Sequence, residues 1–255
     1  QNIALNKSVT ASEDIKELTW GSCKWTPKLL TDGYYEPNHN SLKPVPIPPS
    51  PLFRKEINIG KKIKNALYYT SAQGVYEAYV NGEKVGRQIL APEWTDYDNH
   101  VQYQTHEISS MLKEGTNVLG AMLADGWYAG ALFSYPVRGG YGFTRKFIAQ
   151  LVINYEDGTS ATFGTDESWK YKKEGPVTNA SIFDGETFDA RKHEEGWNKT
   201  GFDDTGWDKA SRYAATSANL CAQMNEPIMV IKEMKPVSVR KVGDDKYIFD
   251  LGQNM

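Results

Sequence analysis

The sequence predicts an all-β protein, an antiparallel β-sandwich, on three observations. Short runs of alternating apolar residues recur along the chain, clusters of Gly, Asn and Asp separate them, and no segment of three helical turns carries an apolar stripe. The composition agrees. Of 255 residues 40% are hydrophobic, enough for a sizeable core, and 22 Gly, 12 Pro and 15 Tyr favour turns and strands.

Residues 1–51 precede the strand series and divide into NIALNKSVTASE, a Trp-containing segment through LLTDGYY, and a run holding Pro44, Pro46, Pro48, Pro49 and Pro51. Proline has no amide proton to give a helix or a central strand, so this run is an extended connector, with a boundary near 51. Leu52 to Ile59 and Ile63 to Thr70 alternate as strands, the second with Ile63, Asn65, Leu67 and Tyr69 on one face. Val75 to Val80 places Tyr76, Ala78 and Val80 together and runs into Asn81-Gly82. That dipeptide tolerates the positive φ angles of a type I′ turn, so a hairpin is expected, with Glu83 to Leu90 returning. Trp94, Tyr97 and Tyr103 then stand among Asp and Asn residues and read as loop and edge.

Ile108 to Leu112 has room for one helical turn, and Val118 to Ala124 is a short apolar run whose flanking turn residues favour a strand. Phe147 to Tyr155 sets Phe147, Ala149, Leu151, Ile153 and Tyr155 on one face, and Asp157-Gly158 turns it into Thr159 to Gly164. Between Phe183 and Trp207 no period is sustained, and the segment reads as a loop built on aromatic pegs. Loops of that length are usually functional or docked on another surface. From Ile228 a new series begins (Ile228 to Ile231, Val237 to Val242, Tyr247 to Leu251). The expected organisation is an opening and connector over 1–51, a sandwich over 52–215, and a linker with the first strands of a following, truncated β domain over 216–255.

Lys and Arg total 29 against 32 acidic residues, a balance of -3. This gives no reason to expect nucleic acid or an anionic membrane as partner. No apolar run approaches the roughly 18 residues of a membrane span, so no membrane insertion is expected. The chain starts at Gln1 without Met or a signal-like segment, which suits a mature exported protein (periplasmic or extracellular) or a trimmed chain. Cys23 and Cys221 are the only cysteines. They are far apart and in no metal-like spacing, and they stand either as a disulfide or as two thiols.

Sugar binding needs an aromatic face for the apolar side of the ring and planar polar groups for hydroxyls. Trp94, Tyr97, Trp127 and Tyr128 sit beside Asp96, Asp98 and Asp125 and supply both; core or interdomain packing is the competing reading of the same rings. Glycoside cleavage needs an acid and a base roughly 5–9.5 Å apart. Asp184, Glu186 and Asp189 crowd one loop and Asp203 and Asp204 another, but loop hydrogen bonding, pairing with Arg191 or contact with a neighbouring domain accounts for them without catalysis. His39, His100, His106 and His193 lack metal-binding spacing, and no G-x-S-x-G elbow is present. Gly139-Gly140-Tyr141-Gly142 neither follows a clear strand nor opens a helix, against a phosphate loop.

Several of these segments together resemble the N-terminal region of bacterial α-L-rhamnosidases, large inverting glycoside hydrolases. They are SPLFRKEINI (50–59), GVYEAYVNGEKVG (74–86), LAPEWTDYDNHVQYQTHEI (90–108), LKEGTNVLGAMLADGWYAG (112–130), then GTDESWK, FDGETFDAR, FDDTGW and FDLGQNM. The resemblance implies a jelly-roll sandwich of the galactose-binding type, with further β-sandwich and a catalytic (α/α)6 barrel beyond it. In that family the catalytic carboxylates lie in the barrel, so no catalytic residue is expected in this chain. The implied partners are the barrel of the same polypeptide and a rhamnose-containing glycan, which Trp94, Tyr97, Trp127, Tyr128, Asp184, Glu186, Asp189 and Arg191 would face. No cofactor is implied. The opening NIALNKSVTAS with LLTDG is similar to discoidin-type domains, where Asp32 would help hold a structural Ca²⁺; a turn is the plainer reading of Asp32-Gly33.

Overall fold

A computed structural model of the protein describes residues 18–20, 23–25, 48–132, 138–183, 185–213 and 216–253. Asp32, Asp184 and the side chain of Cys23 lie outside the described residues. The strands in chain order are β1 (Leu18–Trp20), β2 (Cys23–Trp25), β3 (Leu52–Ile59), β4 (Ile63–Gln73), β5 (Val75–Val80), β6 (Glu83–Lys84), β7 (His100–Glu107), β8 (Gly115–Ala124) and β9 (Lys146–Tyr155). They continue as β10 (Ser160–Gly164), β11 (Lys170–Lys172), β12 (Val177–Ser181), β13 (Gly185–Phe188), β14 (Asp208–Lys209), β15 (Asn219–Ala222), β16 (Ser238–Gly243) and β17 (Lys246–Asp250). One short helix, α1 (Gly126–Ala129), and 3-10 turns at Ser109–Met111 and Ala190–Lys192 complete the described elements.

The sandwich is built from a five-stranded sheet, β10-β9-β4-β7-β15, and a six-stranded sheet, β14-β11-β3-β8-β5-β6. Their facing sides bury Ile57 and Ile59 from β3, Leu119 and Leu123 from β8, and Leu151 and Ile153 from β9, with Trp169 closing one end. Each supplies alternate positions of its strand, which is how a period of two converts into a two-layer core. The all-β expectation holds, with one exception to antiparallel pairing: β15 runs parallel to β7. The sheet therefore extends beyond residue 215, into the stretch read from sequence as linker and following domain. Two-stranded ribbons β1-β2, β12-β13 and β16-β17 stand apart from the two sheets.

Both sequence-predicted hairpins form. At the first, Asn81 and Gly82 adopt φ of 52° and 92°, and the Asn81 side chain does more than turn the chain. Its Nδ2 donates to Met111 O and to Asn117 Oδ1, both at 2.8 Å, while its Oδ1 accepts from Val118 N at 2.9 Å. The returning strand ends at Lys84 rather than Leu90, because Gly86 at φ 73° and Leu90 at φ 60° redirect the backbone. Ile89 N then finds its acceptor on Ile228, and Gln88 bridges Met229, the one ladder contact among the described residues of the strand expected over 228–231. In β4 the core face is Ala66, Tyr68 and Ala72, so Leu67 and Tyr69 lie on the outer face. A bulge between Ile63 and Asn65 shifts the parity and returns Ile63 to the core. Tyr103, read as loop or edge, lies within β7, a strand interior to its sheet.

The outer face of the six-stranded sheet carries Leu52, Arg54, Tyr79 and Met122, and the loop running to Trp207 covers it. Trp197 and Trp207 are buried there with ring centroids 6.2 Å apart, so the aromatic pegs dock as expected. A Cβ on Gly120 would stand 3.1 Å from the Trp197 ring, which shows how closely the indole lies on the strand. Arg54, 1% exposed, is the polar anchor under this loop. Its guanidinium pairs with Asp204 and with Glu56 (2.9 Å), donates to Lys199 O (3.2 Å) and lies 5.6 Å from the centre of the Phe202 ring.

Two stability predictions follow from these anchors. Arg54→Ala takes the buried cation away from two carboxylates that keep contact with solvent, Asp204 at 24% and Glu56 at 43% exposure, so a loss of about 1–3 kcal/mol is expected in denaturant unfolding. Asn81→Gly keeps the turn but deletes three side-chain hydrogen bonds, so a loss of about 2–3 kcal/mol is expected from the same measurement, at about 1 kcal/mol per bond.

Candidate functional site

Three segments converge at one end of the sandwich: the loop 91–99, helix α1, and the stretch 138–142. Asp125, at the start of α1, is buried and pairs with Arg138 at 2.5 Å and with Arg145 at 3.2 Å. Arg145 also donates to Pro49 O at 3.0 Å. Burial lowers the Arg145 pKa and the Asp125 charge opposes that shift. A charge taken out of water is tolerable only when paired in this way, so these contacts fix α1 against 138–142. The backbone reinforces them through Gly139 N to Ala129 O at 3.1 Å and Tyr141 N to Tyr128 O at 3.4 Å. Gly126 holds φ at 53°, where a Cβ would strike Val75 at 2.5 Å, so the DGWYAG segment needs glycine there.

On this frame the four aromatic residues singled out from sequence come together. Tyr97 packs edge-on against Tyr128 (5.3 Å) and Tyr141 (5.1 Å) and donates its hydroxyl to Glu93 O at 2.9 Å. Tyr97 and Tyr128 are buried and form the base of the cluster. Above them the rings of Trp94 and Trp127 lie 9° from parallel with centroids 6.4 Å apart, and Trp94 Nε1 donates to Tyr141 OH at 3.3 Å. Trp94 leaves 43% of its surface exposed. The pair is an outward-facing indole surface on a buried tyrosine base, able to take the apolar side of a planar or ring-shaped ligand. Beside it Asp96 shapes the loop by accepting from Asn99 Nδ2 (2.5 Å) and Asp98 N (3.3 Å).

The acidic loop residues have structural partners. Asp189 accepts from Arg191 through Nε and Nη2, both at 2.8 Å, and from its backbone amide at 3.1 Å. The Arg191 hydrogen bonds hold the Asp189 carboxyl down at about 2. Asp203 accepts from Thr205 N at 3.0 Å, and Asp204 holds Arg54. Glu186 is exposed on β13. Among the described residues no group of three or more His, Cys, Asp or Glu side chains is placed to hold a metal ion, and no helix is long and apolar enough to cross a membrane. Cys221 is a free, half-buried thiol directed at Val101 O (3.7 Å).

Sequence reasoning missed two residues of this region. Tyr141 ties Trp94 to Tyr97, yet its Gly-Gly-Tyr-Gly setting carries no sign of an aromatic contact in the sequence. Glu93 is buried at φ 73° and accepts from Gln223 Nε2 (2.8 Å), Asn225 Nδ2 (2.6 Å) and Ile228 N (2.8 Å). A chain of side chains runs inward from it: Gln104 Nε2 donates to Gln223 Oε1 at 3.0 Å, and Gln104 Oε1 accepts from Tyr76, whose hydroxyl is 2.7 Å from Thr70 Oγ1. The segment leaving the sandwich is thereby tied to its core. A glutamate between proline and tryptophan gives no sign of this in the sequence.

The fold and site define an all-β sandwich domain of two facing sheets with an aromatic cluster on its end loops. Residues 61–232, more than half of the chain, match the family described as the α-L-rhamnosidase N-terminal domain, and the chain belongs to that family. It is 41% identical over 197 residues to an α-L-rhamnosidase of Streptomyces avermitilis, a match covering 76% of this chain and 19% of that protein. To one of an Alteromonas species it is 30% identical over 244 residues, covering 94% and 26%. The crystal structure of the S. avermitilis α-L-rhamnosidase complexed with L-rhamnose superposes with a TM-score of 0.76 at 38% identity, over 82% of this chain and 20% of that one. The chain thus spans about a fifth to a quarter of the length of these relatives.

The buried tyrosines of the core, Tyr68 and Tyr76, and of the site, Tyr97, give the protein a pH signature. Burial raises the pKa of Tyr68, Tyr76 and Tyr97 far above the ordinary value, with Tyr76 adding to the effect at Tyr68 and Tyr141 at Tyr97. Below the unfolded-state value of about 10 both states keep these protons and stability is at its full level. Above it only the unfolded chain loses them, so stability falls as pH rises. An alkaline spectrophotometric titration should show these phenols ionising only together with unfolding.

Proposed function

We propose that the chain is a noncatalytic accessory region of an exported α-L-rhamnosidase. It braces the catalytic barrel of the same polypeptide and offers the Trp94–Trp127 surface to a rhamnose-bearing glycan. The observation that carries the reading is the family membership of residues 61–232 together with the outward-facing indole pair fixed by Tyr141. The commitment of Asp189, Asp203 and Asp204 to structural bonds supports a noncatalytic role. A further β domain that begins beyond β15 and the 223–228 segment tied to Glu93, rather than at 216, belongs to the same proposal. The fully exposed β16-β17 ribbon, with Val239, Tyr247 and Phe249 at its surface, fits a segment that packs on a neighbouring domain.

The test is nitrophenol release from a nitrophenyl α-L-rhamnoside by this chain and by the polypeptide that joins it to its barrel. Turnover is expected from the longer polypeptide alone, and hydrolysis by the 255-residue chain would overturn the reading. In the longer polypeptide Trp127→Ala should raise KM for a rhamnose-bearing glycan by about tenfold, the order set by losing one stacking contact, with kcat held. An unchanged KM would remove the sugar-facing role of the indole pair.

A further inference from the structure

A cavity of about 700 Å³ opens where the starts of β3 and β9 meet the end of β4, within the size range of sites for small organic ligands. None of Trp94, Tyr97, Trp127 or Tyr128 lines it. Its charged lining is one-sided once existing pairs are set aside. Asp166 is held by Lys55 at 2.9 Å, and Arg145 is held by Asp125. Lys146 and Arg212 remain, and neither has an ion-pair partner among the described residues. Two rings of the lining, Phe143 and Tyr213, are 55% and 59% exposed. In the wall Gln73 is more than nine-tenths buried; among the described residues its Oε1 has no hydrogen-bond partner and its amide makes one bond, at 3.4 Å to Thr216.

We propose that this cavity binds a hexuronate unit of an acidic glycan. The carboxylate lies between Lys146 and Arg212, the apolar side of the pyranose rests on an exposed ring of the lining, and a sugar hydroxyl donates to Gln73 Oε1 once the weakly held amide turns towards it. Each element answers to a feature of the ligand. Two uncommitted cations ask for an anion, exposed rings ask for a flat apolar face, and an unpaired buried acceptor asks for a donor. A phosphate or sulfate ion would satisfy the first and leave the other two unmet. The proposal does not depend on the Trp94–Trp127 surface.

Isothermal titration of the 255-residue chain with methyl glucuronide, and with methyl glucoside as the uncharged control, tests it. Only the glucuronide should bind, with a millimolar Kd, and the heat should largely vanish at about 0.5 M salt, where screening is strong. Lys146→Gln and Arg212→Gln should each weaken binding about threefold and together about tenfold, the scale of partly exposed ion pairs. Neither side chain has an ion-pair partner among the described residues, so the variants should melt with the parent. Trp94→Ala should leave glucuronide binding unchanged and so separates this site from the indole surface. Equal binding of the glucoside, no binding of the glucuronide, or an unaffected double variant would overturn the proposal. Competition by an oligoglutamate peptide with tighter binding than the sugar would reassign the cavity to an acidic peptide.

Discussion

The guanidinium of Arg54 imposes the strongest single constraint on this molecule. It sits on the outer face of the six-stranded sheet with 1% of its surface exposed, where an unpaired charge would be untenable. Its partners Asp204, Lys199 O and the Phe202 ring all come from one loop that lacks regular structure. That loop must therefore lie down on the sheet, and in doing so it delivers Trp197 and Trp207 to Leu52 and Met122. A second small core results on the outside of the sandwich, so the six-stranded sheet is covered on both faces. Charge supplies the position of the loop and apolar burial supplies most of its stabilisation, since two tryptophans remove far more surface from water than the ion pairs contribute.

The same division of labour recurs at the aromatic end. The Asp125, Arg138 and Arg145 group fixes the backbone of α1 and 138–142, and the tyrosines pack on that frame. Buried Tyr97 and Tyr128 are unavailable to a ligand, yet they set the pose of the indoles that are available. A surface built in this way is preorganised, which lowers the entropic cost of binding. Glu93 belongs to the same loop but faces the other way. Its three hydrogen bonds couple the aromatic loop to the segment 223–228, so two surfaces with different neighbours share one short stretch of chain.

The sequence was most legible where local chemistry alone decides structure. Asn81-Gly82 and the Asp157-Gly158 turn set their hairpins through backbone preference, and the alternation of β9 marked its core face without help from the rest of the chain. Legibility failed where distant residues decide. β7 carries Gln102, Gln104 and His106 on its inner side, a polar row that hides a strand from any apolar period; its partners include Tyr76, Gln223 and Met224. In β4 the bulge near Lys64 changes which residues face inward, and no single-strand pattern announces it. At the candidate site the ring-rich segments were visible as composition, whereas the division into buried base and exposed surface depended on Tyr141, which lies more than forty positions from Trp94.

The parallel pairing of β15 with β7 bears on how the chain is made. β7 ends at Glu107 and β15 begins at Asn219, so the edge of β7 keeps its amides and carbonyls uncovered while the intervening segment is synthesised. At about 5–20 residues per second that interval is on the order of ten seconds, long compared with the folding of hairpins. An open strand edge is a template for pairing with another chain. The polar inner row of β7 makes this edge poor in apolar surface, so a nascent chain waiting for its last sandwich strand exposes a seam that water can solvate and that neighbouring nascent chains have little to gain by joining.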